Sequence, residues 1–563
     1  MYDTSPNFRR AALLSCLLLV APTVHADYRT IDGSGNNVTN ATWGAAGTEL
    51  LRAAPADYPG DGLGGTLLSS SDRANPRAVS NAIFASTGSR PSARGLSAGV
   101  WQWGQFLDHD LSLTPSNPAD PAMMFAPQAD PFGMTMIPFD RSLSHTDGSG
   151  VRQHANEITS FIDASMVYGS ETGCADALRE FSGGRLRTSG GGLLMPTNAE
   201  PGLGGLDNDG GPIGASTLFV AGDIRANEQT GLIAMHTLFV REHNRLAGAL
   251  GANYPAWDDE RLYQTARSIV GAQVQAITYN EFLPALLGPY APSAADYQYD
   301  PNVDATIATE FSTAFYRLGH SMLNESLLLT DAAGVNVGSL SLRESFFDPQ
   351  AVIDSPELVD QVLTGLMSQA ANELDTQLID GVRNFLFAPQ GGVGTDLAAL
   401  NIQRGRDHGL PDYNTLRGAF GLAPVASFSD ITTDAVVQGQ LQAVYGDVDN
   451  IDPWVGALAE DYLPGASTGE LMTVALIDQF VRLRDGDRFF YTGDDYLFGN
   501  EIASTIDFDT LTMGDILVWN TAMDYEGMPG SFFMPFAIPE PSSMALTLLV
   551  GAAGVGRRRR CCW

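Results

Sequence analysis

Trp101-Gln102-Trp103-Gly104-Gln105-Phe106-Leu107-Asp108-His109-Asp110 is the stretch on which the reading of this chain turns. Wound at about 3.6 residues per turn, it places Leu96, Val100, Trp103, Leu107 and Leu111 on one apolar stripe. Gln105, Asp108 and His109 gather on the opposite side, and Asp110 points elsewhere again. An amphipathic surface helix would give the same periodicity. Two features argue for more. The polar face also carries Trp101, a side chain that seldom faces water alone, and histidine is scarce, with 8 in 563 residues.

Four further stretches stand with it. Thr159-Ser160-Phe161-Ile162-Asp163-Ala164-Ser165 offers oxygen donors at alternate positions, the pattern of an extended loop around a hard cation. Met166-Val167-Tyr168-Gly169-Ser170 continues it. Ala221-Gly222-Asp223-Ile224-Arg225-Ala226-Asn227-Glu228 leads into a helical run that carries His236 and His243, both read as structural. Thr306–Leu323 is expected to be a helix, with Ile307, Phe311, Ala314, Phe315 and Met322 as its core stripe. Phe315-Tyr316-Arg317-Leu318-Gly319-His320 lies within it, and Gly319 leaves room for a flat ring beside His320. Finally comes Leu400-Asn401-Ile402-Gln403-Arg404-Gly405-Arg406-Asp407-His408-Gly409-Leu410-Pro411, in which His408 is read as structural.

In order and spacing, these five stretches resemble the animal-type haem peroxidases of the peroxidase–cyclooxygenase superfamily. The resemblance covers roughly Tyr28 to Phe533. It implies a haem b cofactor, possibly ester-linked, and a bound Ca²⁺. His109 becomes the distal acid–base, a task suited to a neutral imidazole near pH 7. Gln105 becomes the contact for the distal water or halide, and Arg225 the cation that supports O–O cleavage. Asp108 and Glu228 match the haem ester carboxylates. His320 matches the iron ligand, with Asn401 orienting it, and Arg317 and Arg404 match candidate propionate contacts. The calcium ligands carried over are Asp110, Thr159, Phe161 through its carbonyl, Asp163 and Ser165. One position departs. Some family members form a sulfonium link through Met where this chain has Gln229, and Gln cannot do so, so only ester attachment is expected.

The activity implied is oxidation of halides, thiocyanate or small phenolic donors by H₂O₂ through an oxyferryl haem intermediate, with a part in the response to oxidative stress. The related fatty-acid dioxygenases lack the paired ester carboxylates and this calcium loop.

Composition narrows the class further. The formal net charge is -34, which argues against nucleic acid and anionic membrane surfaces as partners. The chain has no lysine, so Schiff-base chemistry is excluded. Its four cysteines are Cys16, Cys174, Cys561 and Cys562. Three lie in terminal segments that read as addresses, so a processed chain would keep Cys174 alone, with no internal disulfide. Arg9 and Arg10, the apolar run Ala11–Val20 and Val24-His25-Ala26 read as a signal peptide over 1–26. Pro539-Glu540-Pro541, the apolar stretch Met544–Gly556 and Arg557–Arg560 resemble a PEP-CTERM sorting signal within 534–563. That resemblance implies a Gram-negative source, an exosortase partner, transient membrane contact through the tail, and delivery to the cell surface or exopolysaccharide matrix. Between the addresses, residues 27–533 are expected to form one large, mainly α domain with little β-structure. Helical periodicity runs over Leu96–Leu246 and Ala305–Leu422. Tyr28–Gly65 reads as an extended arm and Gly190–Gly214 as a Gly-rich surface excursion.

Overall fold

The computed structural model describes residues 28–58, 73–211, 213–388, 394–493, 506–528 and 530–535. The signal-peptide and sorting-tail motifs lie outside these residues, and with them Cys16, Cys561 and Cys562. The elements that build the site are, in chain order, α1 (Ala98–Leu111), the hairpin β1 (Ser116–Phe125) and β2 (Met136–Ser142), α2 (Thr230–Asn253), α3 (Asp259–Ile277), α4 (Leu358–Ser368), α5 (Leu397–Asp407) and α6 (Glu470–Asp485). The fold is mainly α, and one continuous apolar core runs from Leu50 to Phe533. No helix of the described residues is long and apolar enough to cross a membrane.

The helix α1 starts where Ser97 caps it, its side chain accepting from the Gly99 N–H, and stops at Ser112, whose backbone turns extended. Leu96, Val100, Trp103, Leu107 and Leu111 are all at most 1 % exposed, so the expected stripe faces the core. Trp103 and Phe106 pack on Phe239 of α2, with ring centroids 6.0 and 5.2 Å away. Side chains of this size contribute up to roughly 3 kcal/mol each when fully buried. Trp101 is buried too, and its indole N–H donates to Asn324 Oδ1 at 3.3 Å. The Trp101 side of the polar face of α1 therefore looks into protein, while Gln105 and Asp108 stay partly accessible.

Two expectations about secondary structure need correction. The segment Thr306–Leu323 is not one helix. It forms a short α-turn, Thr309–Thr313, and a 3₁₀ segment, Phe315–Ser321, separated at Ala314 (φ -131, ψ -67). Ser312 and Thr313 turn their hydroxyls back onto the Thr309 carbonyl, the local competition that disfavours a continuing helix. The core stripe itself holds: Ile307, Phe311, Ala314, Phe315 and Met322 are buried. Second, three antiparallel pairs interrupt the helical runs: β1–β2, the short pair His145–Thr146 with Arg152–Gln153, and Ser326–Thr330 with Asn336–Ser341. In β2 the burial alternates, Ile137 and Phe139 in, Met136 and Pro138 out, a period of two that distinguishes strand from helix. This hairpin forms a satellite cluster with Ala399 of α5.

The N-terminal arm carries no regular helix or strand over residues 28–58. It is strapped down where Arg29 and Asn36 both donate to Asp487 at 2.8 Å. Its remainder, to Gly65, lies outside the described residues. The Gly-rich excursion is looped as expected, but Leu194, Met195 and Leu203 tuck into the core.

Candidate active site

Arg225 is the charged centre of the site. Gly222 lets its segment lie against the turn Ser165–Gly169: a Cβ there would run into Gly169 N and Ser165 O, and Asp223 N donates to Met166 O at 3.0 Å. The next residues then bring Arg225 beneath α1. Its guanidinium is gripped by Asp223, Nε to Oδ1 at 2.9 Å and Nη2 to Oδ2 at 2.7 Å. Nη2 also donates to Ser112 O at 3.0 Å, and Nη1 lies 3.6 Å from Asp108 Oδ2. A bidentate, charge-assisted pair of this kind fixes the plane of the cation as well as its position.

Asp223 was not singled out from the sequence. Its side chain is 1 % exposed, and its Oδ1 lies 3.5 Å from His109 Nδ1, beyond hydrogen-bond geometry, so Nδ1 is a buried atom without a hydrogen bond. Burial resists ionisation of Asp223, but the Arg225 cation holds it down to about 2. The anion thus joins the two groups expected to handle peroxide. The available signal was its place two residues before Arg225. His109 itself is pushed well below its usual 6.5 by burial and by the Arg225 charge, against the pull of Asp223. It is a neutral imidazole. His236 packs beside it, ring centroids 6.5 Å apart, while His243 bonds to Tyr168 Oη and Gly184 O, each at 2.8 Å.

On the other side, the 3₁₀ segment carries Arg317 and His320. Gly319 packs directly on α1, its Cα so placed that a Cβ would sit 3.6 Å from Trp101 Cβ. A Cβ there would make only ordinary van der Waals contact, so the packing on α1 does not itself require glycine. Burial, then Arg317, pushes His320 down to about 3, so it too is neutral. Asn401 Nδ2 of α5 lies 2.7 Å from its Nδ1, and Asn401 Oδ1 accepts from Arg317 Nη1 at 3.1 Å. His320 Nε2 makes no hydrogen bond among the described residues. The guanidinium of Arg317 is destabilised by burial and supported by Asp108 and Glu228, while Arg225 opposes it. Groups from α1, the Arg225 segment and the 3₁₀ segment thus share one electrostatic space.

Asp108 and Glu228 fit a role within that space. The Asp108 side chain keeps 31 % of its surface accessible and accepts from Ser112 Oγ at 3.1 Å. Burial raises its carboxyl, against Arg225 and Arg317. Glu228 is half-buried and pushed up to about 7 by burial, Arg225 opposing. Neither carboxylate is committed to a bidentate ion pair. A neutral His320 whose Nε2 makes no hydrogen bond among the described residues, a neutral His109, a clamped arginine and two carboxyls outside bidentate pairs make a donor set that fits a histidine-ligated haem. Arg404 fits less closely. It donates to Ser142 Oγ and Asp140 O and lies over the Phe139 ring at 4.4 Å, so the hairpin claims most of it.

The oxygen-rich loop closes behind α1. Asp110 Oδ1 accepts from Ser165 Oγ at 2.7 Å, and Oδ2 accepts from the N–H groups of Asp163 and Ala164. Thr159 Oγ1 donates to Asp163 Oδ1 at 3.1 Å, and Asp163 Oδ2 is buried without a partner. Burial, reinforced by the Asp163 carboxylate, pushes Asp110 up to about 8. Two buried carboxylates that repel each other, with hydroxyls turned inward, fit a divalent cation with oxygen ligands. Phe161, whose ring is fully buried between Gly33 and Gly44, sits at the same loop.

One other group among the described residues has metal-ligating spacing: His154, Asp407 and His408. The two imidazoles stack with centroids 3.7 Å apart. Arg141 and Arg152 lie 3.0 and 3.1 Å from Asp407 Oδ1, and Arg52 and Arg404 add their charges to His154. That much positive charge opposes a cation there, and the cluster is read as structural.

The family model described as animal haem peroxidase matches residues 28–532. Peroxinectin A of Dictyostelium discoideum is 35 % identical over 510 residues, covering 87 % of this chain and 94 % of that protein. Human eosinophil peroxidase is 38 % identical over 514 residues, covering 82 % and 71 %. The solved structure of peroxidase A from Dictyostelium discoideum superimposes with a TM-score of 0.80 at 32 % identity, covering 90 % of this chain and 99 % of that one.

Proposed function

The chain belongs to the animal haem peroxidase family and is a haem-dependent peroxidase acting with H₂O₂, and from that premise we propose that His109 and Arg225 act on peroxide while His320 would hold the haem iron. When bound, the haem supplies the iron at which the O–O bond is reduced and holds the oxidising equivalents until a donor takes them. Neutral His109 accepts the proton from one peroxide oxygen and returns it to the other. Arg225, held in plane by Asp223, supports the charge that develops as the bond parts. The single observation that carries the reading is the Asp223 bridge, which gives the cation a fixed aim and puts an anion 3.5 Å from His109 Nδ1.

For His320 to hold the haem iron through Nε2, Nδ1 would have to carry the proton and the Asn401 amide would have to turn over, presenting to it the Oδ1 that otherwise accepts from Arg317 Nη1. Arg317 would then be free to meet a haem carboxylate, and Arg404 would add what its hairpin contacts leave. Asp108 and Glu228 are the candidates for ester links. Ca²⁺ bound by Asp110, Asp163, the Thr159 and Ser165 hydroxyls and the Phe161 carbonyl would hold the end of α1 that carries His109. Gln105, one turn before His109, meets the donor side of the site, which suits halide, thiocyanate or a small phenol. The signal-like and sorting-like ends support export, processing by an exosortase and a place at the cell surface or in the matrix.

The test is peroxide-dependent oxidation by the haem-loaded protein of bromide, thiocyanate and a phenolic donor, alongside His109→Ala. Turnover of at least one donor, lost by orders of magnitude in the variant, supports the assignment. Equal turnover in both proteins removes His109 from the mechanism.

A further inference from the structure

Three glutamines meet at the junction of α1 and α2. Gln229 is the N-cap of α2, its Oε1 accepting from the Gly231 backbone N–H at 2.6 Å. A backbone N–H can only donate, so this contact fixes which end of the Gln229 amide is oxygen. Its Nε2 must then point the other way, where it donates to Gln102 Oε1 at 2.6 Å and to Gln105 Oε1 at 3.1 Å. Both hydrogens of that NH₂ are used. Gln102 and Gln105 must therefore each turn oxygen toward Gln229. Gln102 is fully buried, and its own Nε2 is left without a partner. That orphan shows that the cap, rather than the needs of each amide, sets the arrangement. Gly231 is part of the device, since a Cβ there would collide with Gln102 Oε1.

The consequence falls on Gln105, which is half-buried and lies one helical turn from His109. With Oε1 held by Gln229, its Nε2 makes no hydrogen bond among the described residues and is the group left to meet a ligand. We propose that Gln229 is the positioning residue that locks Gln105 donor-first, and so makes the peroxide side of the site a receptor for small monovalent anions rather than for hydrogen-bond donors. The inference rests on the reading of Gln105 as the donor contact of that site. No covalent role for Gln229 is involved. Its effect passes through one amide and one helix cap.

The test is titration of the ferric haem-loaded protein with bromide and with thiocyanate, followed by the Soret band, together with melting temperature. Four proteins are compared: wild type, Gln229→Glu, Gln229→Leu and Gln105→Leu. Glu at 229 keeps the cap to Gly231 but has no proton to give, so Gln105 must reverse. Leu keeps most of the bulk, carries no sulfur that could join the haem, and frees the Gln105 amide to turn. The expected anion dissociation constants rise about tenfold or more in Gln229→Glu and about threefold to fivefold in Gln229→Leu, the loss of a neutral hydrogen bond. Gln105→Leu is expected to rise at least as far as Gln229→Glu. Weakening in Gln229→Glu with Gln229→Leu at the wild-type value would mean simple charge repulsion and would overturn the proposal. So would wild-type affinity in both Gln229 variants while Gln105→Leu is weakened, which would leave Gln105 as the anion contact. Wild-type affinity in Gln105→Leu would remove that underlying reading as well. If Gln229→Glu melts too low to load with haem, the neutral Leu variant carries the decision.

Discussion

Replacing Asp223 by Asn should be the most costly isosteric change in the site. The side chain is 1 % exposed and accepts two guanidinium bonds from Arg225, at 2.9 and 2.7 Å, besides the Arg225 backbone N–H at 2.8 Å. An Asn can keep Oδ1 in place, but its NH₂ then opposes Nη2, donor against donor, and the charge is gone. Breaking a buried ion pair from one side costs about 3–5 kcal/mol. Arg225 keeps 18 % of its side-chain surface accessible and has Asp108 at 3.6 Å, so the low end, about 3 kcal/mol, is expected. Urea unfolding of the haem-free protein measures it without linkage to cofactor release. The double variant Asp223→Asn/Arg225→Gln should lose less than the sum of the two single variants, by about 1–3 kcal/mol, because each single change strands the other partner. In the haem-loaded protein the same Asn should slow the bimolecular reaction with H₂O₂ about a hundredfold, the usual penalty for an aimed group displaced by an ångström. A loss under about 1 kcal/mol, with additive variants and an unchanged peroxide rate, would refute the clamp.

Burial and Arg225 hold His109 below 6.5. The base form therefore survives as pH falls through 6.5, and the peroxide rate constant measured by stopped flow should stay level there, whereas a decline centred at 6.5 would identify an ordinary, solvated imidazole. Chelation of calcium should lower the melting temperature, since an ion at a hundredfold excess over its Kd contributes about 2.7 kcal/mol. Asp163→Asn should abolish that calcium dependence. Gly222→Ala, whose methyl would overlap Gly169 N and Ser165 O, should cost about 3 kcal/mol in denaturant unfolding and weaken both the loop and the Arg225 position, and a neutral result would show that the two segments are free to separate.

The polar face of α1 was legible because Gln105, Asp108 and His109 fall together at helical spacing, and the buried Trp101 shows why that face could not be a solvated one. Asp110 was legible as the residue that leaves the face, and it does turn to Ser165 and the Asp163 backbone. Asp223 was not legible. An Asp two residues before an Arg is commonplace, and only the fold brings His109 to the same carboxylate. The glutamine triad was hidden for a similar reason, because Gln229 and Gln105 are 124 residues apart and Gln is an unusual helix cap. The segment around His320 misled by its period: the apolar spacing reads as helix, and the hydroxyls of Ser312 and Thr313 bend it. The hairpin β1–β2 was not legible because Pro138, Arg141 and the neighbouring polar residues obscure an alternation that in β2 only Ile137 and Phe139 carry.

The central claim, that His320 ligates a haem opposite His109, is tested most directly by the absorption spectrum of the haem-loaded protein before and after H₂O₂, with His320→Ala as the comparison. The account predicts a Soret band that shifts on peroxide in the wild type, and that is lost or displaced and unresponsive in the variant. An identical, peroxide-responsive Soret band in His320→Ala would contradict it.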